Sequence, residues 1–222
     1  MSLTFENINK IIGCDDSFKM PAMLMKIMFD KKKREKIFCD CLEYEHDLSF
    51  DWFHIYFQEE YAERKTKKQD FTPNSLSKLL AELTGDTHNV HDTASGTGGL
   101  VIQKWNQQRL LVHPAQYYPS NYFYQCEELS DRSIPFLLFN LLIRGMNAII
   151  IHGDALNREV KQVYFIQNDT DDFMKFSSLN VMPHSEACEK EFHIKKWLEP
   201  EIDHIESPVP EFLKEVISDE LR

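Results

Sequence analysis

Glycine and acidic residues stand at the ends of apolar segments in the middle of the chain, where they could bind a small ligand. Residues 91–99 have the sequence HDTASGTGG. Glycines that follow a strand let the backbone approach a ligand closely and direct its N–H groups at it. Glu128 ends a second apolar segment, where a carboxylate can accept from both hydroxyls of a ribose. Gly153 and Asp154 end a third. These residue types and positions predict a nucleotide-type ligand site.

The elements that must position these residues follow from the spacing of apolar side chains. We expect a helix capped near Asn74 or Ser75, a second beginning near residue 100, and a third over residues 136–143 that stops at Gly145. Ser130 or Ser133 would cap the third helix, with Pro135 in its first turn. Strands are expected at residues 90–92, 122–127, 148–152 and 160–166. Strand, glycine turn, helix, strand, helix, strand indicates a doubly wound α/β fold, in which the all-apolar run 148–152 is typical of a buried parallel strand.

The regions outside this pattern differ in character. Residues 1–66 show helical spacing of apolar residues, including the stretch 48–57. Residues 184–222 carry 5 basic and 11 acidic residues, and we expect them to be helical and peripheral. The sequence thus predicts three parts: a helical N-terminal segment at 1–69, a cofactor domain at 70–183 and an acidic helical tail at 184–222.

Composition narrows the class of protein. The chain has 222 residues, of which 42% are hydrophobic, and five cysteines in no framework pattern. The hydrophobic fraction predicts a packed core, and the cysteines favour a reducing, cytoplasmic compartment. Export and membrane insertion are not expected, since the sequence shows no basic and apolar leader and no long apolar run. The net charge of −11 argues against a protein that grips nucleic acid unaided. The cysteine and histidine spacings, such as Cys39 with Cys41, are too loose to predict a metal site.

The order of the motifs resembles a known family. Thr72-Pro73 comes first, followed by the Asp-x-Ala-x-Gly-Thr-Gly-Gly pattern at 92–99, the strand-end Glu128, Asn140-Leu141 with Arg144-Gly145, and finally 153–156 with the sequence GDAL. This order is similar to the modification subunit of type I restriction systems, an adenine-N6 DNA methyltransferase family that uses S-adenosylmethionine. The resemblance covers roughly residues 50–156. It implies a Rossmann-like S-adenosylmethionine-dependent methyltransferase fold, in a shortened form, behind a helical N-terminal segment.

The resemblance also implies roles for individual residues. The methionine and ribose part of the cofactor would be held by Asp92, Ala94, Ser95, Gly96, Thr97, Gly98 and Gly99. Phe71 and Thr72 would close over its methionine end. Glu128 would bind the ribose hydroxyls, and Leu129 would cover one face of the adenine. Asp154 would accept from the adenine amine, with Ala155 and Leu156 nearby.

One departure from the family pattern bears on catalysis. The family presents the target adenine to a loop of Asn or Asp, two prolines and an aromatic residue after its fourth strand, where the aromatic residue stacks on the flipped base. Here Asn168 stands in the polar position after the segment 160–166, both prolines are missing, and the nearest aromatic residue is displaced. Asn168 is therefore either the catalytic polar residue or an ordinary turn asparagine.

Three hypotheses remain open at this point. The chain is a DNA adenine-N6 methyltransferase that contacts DNA together with a partner or specificity subunit, a non-catalytic cofactor-binding protein with a regulatory or counter-restriction role, or an interaction module that has lost the ligand. We also expect a homodimer, because a shortened sheet leaves an apolar edge strand that a second copy of the chain could cover.

Overall fold

The computed structural model describes residues 3–14, 16, 18–54, 72–85 and 87–208. Three helices precede the α/β part: α1 (Phe5–Ile12), α2 (Met20–Met28) and α3 (Lys31–Leu42). The Thr4 side chain caps α1 by accepting from the Asn7 N–H at 3.3 Å, and Asp30 caps α3 by accepting from the Lys33 N–H at 3.1 Å. These local hydrogen bonds satisfy N–H groups that the first turn of a helix leaves unpaired.

The rest of the described chain alternates helices and strands before ending in short elements. The elements, in chain order, are α4 (Asn74–Leu83), β1 (Asn89–Thr93), α5 (Gly99–Leu111), β2 (Phe123–Glu128), α6 (Ile134–Ile143), β3 (Ala148–Asp154), β4 (Glu159–Gln167), β5 (Ser178–Val181), α7 (Glu186–Glu191) and β6 (Lys196–Trp197). The predicted strands and helices of the middle region agree with these bounds to within about two residues at most ends.

The sheet has the strand order β1-β2-β3-β4-β5, with β6 beside β4. Strands β1, β2 and β3 are parallel, with Asp92 opposite Cys126 and Glu128 opposite His152. Helices α5 and α6 form the two crossover connections, which parallel neighbours require. The glycine loop and the residues that follow β2 and β3 therefore lie at one edge of the sheet, the carboxyl edge of β1–β3.

The fourth strand departs from the doubly wound plan. β4 runs antiparallel to β3, pairing Ala148 with Ile166 and Asp154 with Glu159, and β5 runs antiparallel to β4. Only residues 155–158 join β3 to β4, whereas a parallel connection needs about a dozen residues or more. The chain therefore turns back at Asp154 and carries the end of β4 to the opposite edge of the sheet.

One core joins the N-terminal helices to the sheet. Helix α6 is buried along its whole length, and α2 packs against it. Phe38 of α3 and Phe53 each meet the ring of Phe139 edge-on, with centroids 4.7 Å and 4.9 Å apart. The division at residue 69 stays a prediction, and the described core is shared between the two predicted parts.

Two predicted helical stretches have a different structure. Residues 45–53 are not helical. Asp47 and Asp51 accept from the Ser49 and Phe53 N–H groups two residues later, which favours local turns over a helix. The remainder of the stretch 48–57 includes residues outside the described part. In the predicted helical tail, the described residues contain one short helix, α7, followed by β6 and an extended segment that bridges Asn180 to Ile205.

The extended segment is tied firmly to the helices. Arg34 of α3 donates to both carboxylate oxygens of Glu206, at 2.9 Å and 2.6 Å, and both side chains are buried. Glu206 is therefore packed into the molecule, whereas its neighbour Ile205 is exposed. None of the described helices is long and apolar enough to cross a membrane.

Candidate cofactor site

The glycine loop begins where β1 ends and is held by the end of β2. The Ala94 and Ser95 N–H groups donate to the Glu127 carbonyl oxygen at 2.8 Å and 3.0 Å, and the Gly98 N–H donates to the Ser95 carbonyl at 2.8 Å. Ala94, Gly96 and Gly98 all have positive φ, of 79°, 58° and 94°. Backbone in this region favours glycine, which explains two of the three glycines of the motif. Gly99 starts α5.

Glu128 is buried at the end of β2 and faces this loop. Its Oε2 accepts from the Gly96 N–H and its Oε1 from the Ser130 N–H, each at 2.7 Å. The carboxylate thereby connects the glycine loop to the start of the β2–α6 connection. Each oxygen keeps lone-pair capacity for a further donor such as a ribose hydroxyl.

Asp92 lies next to this carboxylate on the same face of the sheet. It is half-buried, and burial raises the pKa of its carboxyl above 3.8, with the Glu128 charge acting in the same direction. Ser95 is buried and donates its hydroxyl to the Asp92 carbonyl at 2.8 Å. A poorly solvated carboxylate next to a second one favours a cation, so this end of the site suits a ligand amine.

Asp154 ends β3 and organises the turn that follows. It accepts from the Leu156 N–H at 2.8 Å, the Asn157 N–H at 3.1 Å and the Asn157 side-chain amide at 2.8 Å. The hydrogen bonds from Asn157 and Leu156 hold the pKa of Asp154 below 3.8, so the group is an ionised acceptor at neutral pH.

Two leucines at this edge project into solvent. Leu129, directly after Glu128, has 61% of its surface exposed, and Leu156, two residues after Asp154, has 90% exposed. Ala155, which directly precedes Leu156, is half-buried. Large apolar side chains exposed beside convergent polar acceptors are typical of a ligand site.

The predicted part of Thr97 in cofactor binding stays a prediction, and its side chain has a partner inside the protein. The Thr97 side chain is buried, and its hydroxyl donates to Asp51. Thr72 is exposed immediately before Pro73 and α4. Phe71 lies outside the described residues.

Asn168 is not brought to this site. It follows β4, whose end lies beside the start of β3, and its N–H donates to the Asn147 side chain at 2.8 Å. Its amide donates to the Gly145 and Asp172 carbonyls at 3.0 Å and 2.9 Å. This is the geometry of a buried turn asparagine at the opposite edge of the sheet, which does not support the predicted catalytic position.

A fourth carboxylate in this region, that of Glu127, was not predicted from the sequence. Glu127 is buried, accepts from Arg158 at 2.6 Å and lies 3.0 Å from His91 Nε2. Because side chains alternate along a strand, Glu127 and Glu128 point to opposite faces. The contacts of Glu127 span 31 and 36 residues, and no spacing in the sequence signals them.

Comparison with known proteins shows the family to which the chain belongs. A family model of N-6 DNA methylases matches residues 47–188, more than half of the chain. The chain therefore belongs to the N-6 DNA methylase family, and its mixed sheet with flanking helices is a Rossmann-like methyltransferase fold. A search of curated proteins found no match.

The site residues fit the cofactor that this family uses. Carboxylates that can accept from ribose hydroxyls and from an adenine amine end neighbouring strands, exposed leucines follow them in the chain, and a glycine loop joins β1 to α5. Among the described residues, no group of three or more metal-type side chains is close enough to hold a metal ion.

Proposed function

We propose that this chain binds S-adenosylmethionine at the carboxyl edge of β1–β3 and serves in the adenine-N6 methylation of DNA. The observation that carries the proposal is the pairing of acid and leucine at two neighbouring strand ends, Glu128 with Leu129 and Asp154 with Leu156. A flat nucleoside needs apolar cover for its base and acceptors for its hydroxyl and amine groups. Both needs are met on adjacent strands.

Each residue has a distinct task in this proposal. Glu128 accepts from the ribose hydroxyls while it fixes the loop through Gly96. Asp154, held ionised by its turn, accepts from the adenine amine. Asp92 attracts the amino group of the methionine part. When bound, the cofactor supplies an activated methyl group, and the protein residues orient it.

We further propose that a second polypeptide contributes the DNA contacts and the base-binding loop. The net charge of −11 disfavours DNA binding by this chain alone. Within the described residues β1 pairs only with β2, so its other edge is open. Leu76, Leu79 and Leu83 on nearby α4 are also exposed. A specificity subunit like that of type I restriction systems is the proposed partner, and a homodimer is the alternative.

A non-catalytic cofactor-binding protein is the second candidate function. It is favoured by the antiparallel direction of β4, which carries Asn168 to the edge opposite the glycine loop. In the described residues, no asparagine-proline-proline-aromatic segment follows a strand at the carboxyl edge. A regulatory or counter-restriction role requires that the chain bind the cofactor, and it does not require methyl transfer.

Calorimetric titration with S-adenosylmethionine tests the cofactor site. We expect saturable binding by the wild-type chain and its loss in Asp92→Ala and Glu128→Ala. Asp169→Ala, an exposed acid beyond β4 at the opposite edge, is the matched control and should bind like wild type. No heat and no thermal shift with the wild-type protein would contradict both candidate functions.

Methyl transfer then separates the two candidates. The chain, alone and with a co-expressed specificity subunit, is incubated with methyl-labelled cofactor and unmodified DNA. Label in N6-methyladenine supports the methyltransferase. Binding without label under both conditions supports the non-catalytic protein instead.

A further inference from the structure

A buried polar network supports the glycine loop and includes one residue of that loop, Thr97. Asp51, Asn140 and Arg144 are 3%, 0% and 3% exposed, and Thr97 is 1% exposed. Buried polar groups are costly unless their hydrogen bonds are made. The network joins three parts of the chain: the turn before residue 54, the glycine loop and helix α6.

Thr97 is held from two sides by this network. Its hydroxyl donates to Oδ2 of Asp51, and its carbonyl oxygen accepts from the Asn140 side-chain amide at 2.8 Å. The same amide nitrogen donates to Oδ1 of Asp51 at 2.7 Å. Asn140 thereby uses both of its amide hydrogens, one for the loop and one for the acid that holds the loop.

Arg144 completes the network and balances its charge. It donates to the backbone and side-chain oxygens of Asn140 at 2.6 Å and 3.0 Å, and to the carbonyls of Leu48 and Phe50 at 2.9 Å and 2.6 Å. Burial lowers the pKa of Arg144 to about 9, so the guanidinium is still charged at neutral pH. The turn that carries Asp51 is thus fixed to α6 by a buried cation.

The loop needs such support because its own sequence does not fix its shape. Gly96 and Gly98 flank Thr97, and glycine has the widest choice of backbone conformations. Both of their N–H groups are in use, the first on Glu128 and the second on Ser95. A shift at Thr97 would disturb both neighbours and, with them, the contact to the carboxylate proposed to bind ribose.

We infer that Asp51 is a positioning residue for the cofactor: through Thr97 and Asn140 it holds the glycine loop in the shape that receives the ligand. This inference rests on the proposed function, since it assigns a role in binding S-adenosylmethionine. Under this inference, the affinity for the cofactor depends on the turn that carries Asp51, which lies 46 residues before Thr97 in the sequence. For a ligand that binds only one loop shape, the apparent Kd is the intrinsic Kd divided by the fraction of time that the loop spends in that shape.

The test compares variants whose stability and affinity can be separated. Asp51→Asn keeps the shape of the side chain and removes its charge. Thr97→Val removes a single hydroxyl and serves if Asp51→Asn does not fold. Leu142→Ala, a buried core residue of the same helix α6 outside the network, is the matched control for general destabilisation. Kd for S-adenosylmethionine is measured at a temperature where circular dichroism shows every variant folded.

We expect Kd to rise about tenfold or more for Asp51→Asn and for Thr97→Val, because a loop in the receptive shape a tenth of the time binds tenfold more weakly. Leu142→Ala should lower the melting temperature and leave Kd within about twofold, since destabilisation alone does not change the ligand contacts of the folded state. Equal affinity losses in Leu142→Ala, or unchanged affinity in Asp51→Asn, would overturn the inference.

Amide hydrogen exchange of the ligand-free protein supplies a readout that does not need the cofactor. The Gly96 and Gly98 N–H groups should exchange faster in Asp51→Asn than in wild type, while the β3 amides keep their rates. Wild-type protein that does not bind S-adenosylmethionine removes the proposed function, and faster loop exchange would still support the positioning role of Asp51. Unchanged loop exchange removes that role even if the wild-type chain binds.

Discussion

Asp92 carries a carboxyl group whose surroundings disfavour its charge. Burial is the main cause of its raised pKa, the Glu128 carboxylate adds to it, and Ser95 and His91 only partly oppose it. In the folded, ligand-free protein the ionised form of Asp92 therefore costs stability above its raised pKa. A ligand amine at this position would relieve that cost. Asp92 therefore favours ligand binding and lowers the stability of the ligand-free protein.

This residue makes cofactor binding dependent on pH. As the pH falls from 7 to 3.8, past the raised pKa of Asp92, the carboxylate gains a proton and loses its attraction for the ligand amine. We expect calorimetry to show a rising Kd, with a midpoint above 3.8. Asp92→Asn should bind weakly with a flat profile, and its ligand-free form should melt at a higher temperature at pH 7. A wild-type Kd that is constant over this range would contradict the assignment.

At the residue scale, the sequence predicted the positions of those residues that end neighbouring strands. Glu128 and Asp154 were predicted correctly as the ends of neighbouring parallel strands, because carboxyl ends of such strands meet at one edge. The inward turn of Thr97 could not be predicted, because its partner Asp51 lies 46 residues away in a turn. The roles proposed for these residues stay predictions.

Among the elements, the β3–β4 hairpin shows what apolar patterns leave undetermined. A run such as 160–166 reads the same whether its strand is parallel or antiparallel. The direction is signalled by the connection, since the four residues 155–158 cannot hold a crossover helix. Arg158, at a positive φ of 61°, donates its N–H to the Asp154 carbonyl at 2.8 Å and closes the turn. The placement of Asn168 follows from this hairpin.

The junction between the glycine loop and α5 gives a prediction about stability. Gly98 has φ of 94°, and a Cβ there would stand 2.9 Å from Cδ1 of Leu137. Gly98→Ala should destabilise the fold by about 1–3 kcal/mol because of backbone strain. Urea unfolding measures this change.

The neighbouring glycine is the control for that experiment. Gly99 begins α5, and a Cβ there meets no atom within 4 Å. Gly99→Ala should leave stability unchanged or raise it slightly, since alanine favours helices. Equal losses in the two variants would show that the backbone at Gly98 is not the cause.

On the scale of the whole molecule, one ion pair connects the N-terminal helices to the end of the described chain. Burial alone would raise the pKa of Glu206, but hydrogen bonds from Arg34 and the Leu179 N–H reverse the effect and hold that pKa below 4.5. The charge composition predicted a peripheral acidic tail. The contact of Glu206 could not be predicted, because a sequence shows how many acidic residues a segment has and not which of them pairs with a buried cation 172 residues away.

Removing one member of this pair should be strongly destabilising. Glu206→Gln leaves the Arg34 guanidinium buried without its counter-charge, which costs about 3–5 kcal/mol. Thermal unfolding should show a decrease of about 2–4 °C for each kcal/mol lost. Asp40→Asn, which breaks the exposed pair with Lys36, should melt close to wild type. A small effect of Glu206→Gln would mean that the extended segment is not part of the cooperative fold.

The order of the sheet has a consequence for how the molecule is made. From β1 to β5 each strand pairs with the strand made just before it, so no strand has to be inserted between two that are already paired. Short sequence separations between partners favour fast folding, and domains can begin to fold during synthesis. A nascent chain that has emerged as far as Leu156 already contains the glycine loop, Glu128 and Asp154. The carboxyl edge can thus form on the ribosome, while closure of the ion pair between Arg34 and Glu206 has to wait for the last part of the described chain.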